Sequence, residues 1–180
     1  MSKILVDTID TRSGTSTLTL GSSNAGTIAL GSGDVQSNFL YPAFKAYPNS
    51  TQTPSVNTWT KAALDTEVFD TDSCYDTSNY RFTPTKAGKY FFTFQHTDNY
   101  SSSAASHAQL RIYKNGSSVA WFENAAKGTQ YGSVTLSTTL EMNGSSDYVE
   151  FYIEYEGGSG VSFRGGVDRA FATGYRLIGA

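Results

Sequence analysis

Residues 64–94 read LDTEVFDTDSCYDTSNYRFTPTKAGKYFFTF, and this stretch decides the fold class. Near its end, every second position is aromatic, at Tyr90, Phe92 and Phe94. Successive side chains of an extended strand point to opposite faces, so these three rings share one face. Pro84 and Gly88 bracket a turn just before them. The pattern predicts a β-strand with one buried side.

The same period of two recurs along the chain. Residues 134–140 and 149–155 alternate in the same way, and no convincing period of 3.6 residues competes with them. Asn115–Gly116 and Asn143–Gly144 lie between these runs and are interpreted as hairpin turns, since a type I′ turn needs positive φ at both central residues. About eight to ten short strands at this spacing predict an all-β sandwich or jelly roll.

Composition narrows the classes of protein. The 180 residues suffice for one domain with a core and an appendage. A formal charge of −3, with 13 Lys and Arg that do not cluster, argues against nucleic acid as a partner. Short apolar runs predict no membrane insertion and no signal peptide. The single cysteine, Cys74, excludes an intrachain disulfide and is interpreted as a small buried residue.

Residues 15–34 contain a ten-residue repeat, in which TLTLGS at 17–22 is echoed by TIALGS at 27–32. Two such strands bury too little apolar area to offset about 1–2 kcal/mol of backbone entropy per residue. Three chains around an axis would solve this by turning the same aliphatic side chains inward. We therefore predict a trimeric β-stem at residues 15–38, with interface residues Leu18, Leu20, Ile28 and Leu30. The alternative is a disordered Gly/Ser linker.

Residues 64–94 resemble the signature of the C1q-like head, the jelly roll shared with tumour necrosis factor. The matching positions are Asp70, Tyr75, Phe82, Gly88, Tyr90, Phe92 and Phe94, and Leu64 replaces the family's first Phe. A Leu at that apolar position costs little. The resemblance implies a jelly-roll head at residues 39–180 and a compact homotrimer, which agrees in symmetry with the predicted stem. It also favours a strand over a helix for the ambiguous residues 61–69.

Further segments are similar to strands of the same family. They are residues 42–47, 110–116, 147–152 and 171–178. The expected core comprises Phe82, Tyr90, Phe92, Phe94, Val149, Phe151, Phe171 and Leu177.

The opening residues 4–14, with the repeat, are similar to the openings of small structural proteins of marine and cyanobacterial tailed phages. This resemblance implies a virion protein at the particle surface, made in the host cytoplasm, whose residues 1–14 anchor it to other virion proteins. The leading hypothesis is a tail fibre, spike or other surface fibre whose head contacts a glycan or protein of the host surface. The alternative is a trimeric capsid decoration protein that stabilises the shell. A polysaccharide-degrading tailspike is a third, weaker reading, since it would need paired carboxylates in a cleft.

The sequence indicates no enzyme and no cofactor. His96 and His107 lack a metal-ligand spacing and are expected to be ordinary strand or loop residues. The acidic run 70–76 has oxygen ligands at alternate positions, but it lacks the Gly and distal Glu of a calcium loop, so no metal site is predicted. Tyr100 and Trp121 are the candidate receptor contacts. The alternative interpretations are a solvated loop residue for Tyr100 and a core residue for Trp121.

Overall fold

The computed structural model describes residues 42–99, 106–125, 132–157 and 161–177. In these ranges all regular secondary structure is β, which confirms the predicted all-β class. The strands are β1 (Ala43–Tyr47), β2 (Thr60–Lys61), β3 (Thr66–Asp70), β4 (Tyr75–Asp76), β5 (Arg81–Phe82), β6 (Ala87–Asn99), β7 (His107–Lys114), β8 (Ser117–Ala125), β9 (Ser133–Asn143), β10 (Val149–Glu156), β11 (Ser162–Phe163) and β12 (Phe171–Arg176). Within the same ranges there is no helix long and apolar enough to cross a membrane. The predicted anchor at 1–14, the stem at 15–38 with Leu18, Leu20, Ile28 and Leu30, and Tyr100 lie outside the described residues.

Two antiparallel sheets form the domain. In sheet 1 the order is β9, β6, β12, β1 and β3, and β11 continues beside β6 beyond β12. In sheet 2 the order is β4, β5, β10, β7 and β8, and β2 pairs with β10 beyond β5. Consecutive strands often belong to different sheets, so the chain crosses repeatedly between the two layers.

The core lies between the sheets and is largely aromatic. The ring centroid of Phe44 on β1 lies 4.5 Å from that of Phe82 and 4.9 Å from that of Tyr75. Phe94 on β6 meets Phe151 on β10 at 5.3 Å. These separations are those at which aromatic pairs attract beyond the effect of burial alone. The alternation of residues 90–95 thus places the even-numbered rings inward, as predicted.

The ambiguous residues 61–69 are extended rather than helical. Thr60–Lys61 and Thr66–Asp70 are strands, and residues 62–65 between them belong to no strand. Ala62 and Leu64 are nevertheless buried in the core, because the irregular chain turns them inward.

The assignment of Phe171 and Leu177 to the core is wrong. Both side chains are half-buried, and the core-facing positions of β12 are Ala172 and Gly174. A Cβ on Gly174 would lie 2.5 Å from a ring carbon of Phe92, so the aromatic core leaves no room for a larger residue. Phe171 therefore faces outward, where the Lys45 ammonium lies 4.3 Å from its ring centroid.

The two Asn-Gly turns have different structures. Asn115 and Gly116 have φ of 52° and 78° and connect β7 to β8, which confirms the hairpin prediction there. The hairpin prediction for Asn143–Gly144 is wrong, since β9 pairs with β6 and β10 pairs with β7. Only Gly144 has positive φ at that turn, and the Asn143 side-chain oxygen accepts hydrogen bonds from the backbone N–H groups of residues 145–147. The side chain thus organises a crossover between the sheets.

The described chain enters and leaves the domain at one end. Pro42 accepts a hydrogen bond from the backbone N–H of Arg176, and Ala43 lies opposite Tyr175. The residues that flank 100–105, 126–131 and 158–160 belong to the opposite ends of the strands, which we call the distal end.

Candidate interaction surfaces

The signature residues have structural positions. The apolar members lie in the core, and Tyr75 donates a hydrogen bond from its hydroxyl to the Leu64 carbonyl at 2.9 Å. Gly88 has φ of 144° and lies against the Arg176 side chain, where a Cβ would meet the guanidinium at 2.9 Å. The buried members of the set are Leu64, Tyr75, Phe82, Tyr90, Phe92 and Phe94.

Local hydrogen bonds occupy two carboxylates of the acidic run 70–76. Asp70 accepts from the backbone N–H groups of Cys74 and Tyr75 at 3.1 and 2.9 Å. Asp76 accepts from Ser78 and Asn79, and these bonds hold the pKa of its carboxyl far below the usual range. Among the described residues there is no group of three His, Cys, Asp or Glu side chains that could hold a metal ion. Burial raises the pKa of the Cys74 thiol, as expected for an inert core cysteine.

The outer face of sheet 1 carries hydroxyl and aromatic groups. Hydroxyls of neighbouring strands pair, with 3.0 Å between Thr93 Oγ1 and Ser137 Oγ. The rings of Phe91 and Tyr175 lie 5.7 Å apart, and Tyr175 is exposed. We call this surface the hydroxyl face, and it comprises Phe91, Thr93, Thr97, Ser133, Ser137, Thr173 and Tyr175.

The edge beside β8 leaves the core incompletely covered. Phe122 lies opposite the fully buried Leu110, so it faces the space between the sheets, yet it is 44% exposed. It is exposed because β8 is the last strand of sheet 2. A large apolar side chain at such a position is a candidate protein contact.

Ionised side chains of sheet 2 are fixed by several partners. One Glu150 oxygen accepts from Lys61 Nζ at 2.6 Å and from Arg81 at 2.9 and 2.7 Å. The Arg81 guanidinium lies 3.8 Å from the ring centroid of Tyr148. Burial alone would raise the pKa of Glu150, but the hydrogen bonds from Lys61 and Arg81 lower it below the ordinary value.

A second group on the outer face of sheet 2 surrounds Trp121. Its indole N–H donates to Gln109 Oε1 at 3.0 Å, and Gln109 Nε2 donates to Glu156 Oε1 at 2.7 Å. His107 lies between two carboxylates, 3.3 Å from Glu123 and 3.4 Å from Glu156. We call Gln109, Trp121, Glu156, His107 and Glu123 the Trp121 network.

Near the distal end a polar group is buried between the sheets. His96 and Asp98 are inaccessible to solvent, with 2.7 Å between His96 Nδ1 and Asp98 Oδ1. The Tyr155 hydroxyl donates to the same oxygen at 2.6 Å. The hydrogen bond from Tyr155 offsets part of the cost of burying the Asp98 carboxylate. His96 is a buried core residue of its strand.

The structure places Trp121 on the surface, with 55% of it exposed, and not in the core. The other candidate contact, Tyr100, lies outside the described residues. Gln109 and Phe122 were not among the contact residues predicted from the sequence. A signal for Gln109 was present, since His107, Gln109 and Arg111 alternate with apolar residues and so belong to one polar face.

Comparisons with known proteins agree with this architecture. The C1q domain model matches residues 43–175. The globular domain of zebrafish complement 1qA protein has 17% identity and a TM-score of 0.57, covering 76% of this chain and 98% of that one. Murine APRIL has 9% identity and a TM-score of 0.59, covering 75% and 98%. Eiger TNF from S. frugiperda has 9% identity and a TM-score of 0.56, covering 78% and 95%. These likenesses show the C1q/TNF-like jelly-roll fold, as the resemblance implied, whereas no curated protein sequence matches the chain.

Proposed function

The chain belongs to the C1q domain family, and we propose that it forms a homotrimeric structural protein of a phage virion. In this proposal residues 1–14 attach to other virion proteins, residues 15–38 form a stem, and residues 39–180 form the head. The trimer is a tail fibre, spike or other surface fibre, and the head contacts the host surface without an enzymatic step. C1q and TNF-like domains are generally non-enzymatic binding or structural domains, and they form homotrimers. Both properties support the proposal of a trimer that acts without an enzymatic step.

The trimer proposal is supported by two surfaces of the domain, the hydroxyl face and the edge beside β8. The hydroxyl face presents the Phe91 and Tyr175 rings, and charge-poor aromatic surfaces are typical of interface centres. Phe122 is exposed at the edge beside β8. An edge that packs on a face is a heterologous contact, and three copies related by a threefold rotation close such contacts into a ring.

The trimer is tested by light scattering of the full chain. We expect three times the 19.5 kDa protomer mass, and a mass near 19.5 kDa would contradict the proposal. Phe122→Asp should shift the population toward monomers, because it places a charge at the proposed contact. Val167→Asp is the matched control, since Val167 is 41% exposed but is not part of either surface.

The stem is tested by a pair of substitutions in its repeat. Leu20→Asp should loosen the trimer and lower its thermal midpoint, because it places a carboxylate among the predicted inward side chains. Thr19→Asp, on the predicted wet side, should change the midpoint little. Equal effects of the two substitutions would count against the inward placement of Leu20.

The virion role rests on the repeat and on the likeness of residues 4–14 to phage proteins. It is tested by immunogold electron microscopy of intact particles. Label at the tail would support a fibre or spike that contacts the host. Label spread over the shell would instead support a capsid decoration protein, and particles without label would contradict a virion role.

A further inference from the structure

Trp121 is the most exposed large apolar side chain of the described residues, at 55%. An isolated exposed Trp needs no explanation, but this ring is held in place. Its N–H donates to Gln109 Oε1, and Gln109 is 4% exposed and also donates to Glu156. Ring and amide are therefore fixed before any partner arrives.

The orientation of the Gln109 amide follows from its two neighbours. The indole N–H is only a donor, so it must face the amide oxygen. An ionised carboxylate is only an acceptor, so Glu156 must face the amide nitrogen. Rotating the amide by 180° would break both hydrogen bonds at once, which makes the arrangement rigid.

The charge near the ring is negative. The Glu123 and Glu156 side chains are partly exposed, at 34% and 46%. Glu154, on the same face of β10, is almost buried, and burial together with the nearby Glu156 raises the pKa of its carboxyl. His107 lies between Glu123 and Glu156 and offsets part of this charge when protonated.

The arginine opposite Trp121 contacts a different ring. Arg111 is the cross-strand neighbour of Trp121, but its guanidinium lies 4.1 Å from the ring centroid of Trp59. The other cations over rings in the described chain are Lys45 on Phe171 and Arg81 on Tyr148. The Trp121 ring thus keeps its exposed surface available.

We propose that the Trp121 network is a binding site for a lysine or arginine side chain on the surface of a partner protein. Trp is the best aromatic acceptor for a cation, and the two exposed carboxylates complement the same positive charge. Phosphates and acidic glycans would be repelled by these carboxylates. The inference rests on the proposed function in one respect, since it gives the chemistry of the surface that the head would contact.

The test uses the full chain and an immobilised, N-acetylated hexalysine peptide as the probe. The same peptide with every lysine acetylated is the matched probe without charge. We expect binding of hexalysine only, and weaker binding when the salt concentration is raised from about 0.01 M to about 1 M, since salt screens exposed charges. Equal binding of both peptides, or no binding of hexalysine, would overturn the proposal.

Variants locate the binding on the protein. Trp121→Ala should lower the apparent affinity for hexalysine about fivefold or more. Trp121→Phe should lower it less, because a Phe ring still attracts a cation, although more weakly than Trp does. Glu123→Gln should weaken binding and reduce its salt dependence. Phe69→Ala is the control, since Phe69 is 45% exposed on β3, away from the network, and should bind like the wild type. Unchanged binding by Trp121→Ala would overturn the proposal.

A neutral sugar is the competing ligand, and cellohexaose is the probe for it. Binding of cellohexaose that depends on Trp121, in place of hexalysine, would overturn the cation proposal. Light scattering on the same samples separates the two proposals. A monomeric protein that still binds hexalysine through Trp121 would contradict only the trimer, whereas a trimer that ignores hexalysine would contradict only the cation site.

Discussion

The outer faces of the two sheets differ in how their polar groups are used. On the hydroxyl face, neutral groups such as Thr93 and Ser137 pair across strands, and the Phe91 and Tyr175 rings lie beside them. On sheet 2, ionised groups have several partners each, and Glu150 is the clearest example. The first arrangement is easily covered by another protein, because little charge must be desolvated. The second fixes charge in place, which suits recognition of a charged group.

The largest expected effect is on the paired charges of sheet 2. Glu150→Ala should lower the free energy of unfolding by about 2 kcal/mol, because it removes the buried carboxylate that accepts hydrogen bonds from Lys61 and Arg81. Urea denaturation at neutral pH measures the change. Glu141→Ala, at an exposed position of sheet 1, should cost less than about 0.5 kcal/mol. Similar losses in the two variants would remove the contrast between the faces.

Acidification should also reveal the contribution of the Glu150 ion pairs. The pKa of Glu150 is lowered in the folded protein, so its contribution to stability is complete above the ordinary value of 4.5 and is lost as the pH falls through the folded value. Wild-type protein should therefore lose more stability than Glu150→Gln when the pH is lowered from neutral into this range. Thermal unfolding followed by circular dichroism compares the two, and parallel pH profiles would show that Glu150 does not titrate as expected.

A smaller effect is expected on the hydroxyl face. Tyr175→Ala removes the ring that packs on Phe91 and should weaken each proposed contact between protomers by about 1 kcal/mol. On dilution, light scattering should then show the trimer dissociating at a higher protein concentration than in the wild type. Trp121→Ala, on the other face, should leave the concentration dependence unchanged. If Tyr175→Ala dissociates over the same concentration range as the wild type, this face is not part of the contact.

The smallest effect concerns a single pair of hydroxyls. Thr93→Val removes the hydrogen bond to Ser137 and should cost about 0.5 kcal/mol in urea denaturation. Thr135→Val, at an exposed position of the same face, is the control. If the two variants are equally stable, the paired hydroxyls on this face contribute nothing beyond β-propensity.

The features that depend only on neighbouring residues in the sequence were predicted correctly. Alternation placed Tyr90, Phe92 and Phe94 inward, and Asn115–Gly116 formed a hairpin because Asn and Gly readily adopt positive φ. Asn143–Gly144 has the same two letters, but its Asn acts through its side chain, and only the pairing of β9 with β6 shows that the chain changes sheets.

Features that depend on packing across the sheets were not predictable in this way. Alternation groups the odd and even residues of β12, but it does not show which group faces inward. That choice follows from the Phe92 ring, which leaves room only for Gly174 and so turns Phe171 outward. The contact between Trp121 and Gln109 depends on the register of β8 with β7, which shifts at a bulge between Ile112 and Tyr113. A shift of register cannot be read from either strand alone.

The position of Pro42 has a mechanical consequence. β1 begins there, runs toward the distal end and lies between β12 and β3. A tension applied between Pro42 and the distal end would slide β1 along both neighbours, so its interstrand hydrogen bonds, which run perpendicular to the pull, would have to rupture together. Tension between Pro42 and Leu177 would instead peel β1 from β12 one bond at a time. The domain therefore withstands traction along its strands better than separation of Pro42 from Leu177.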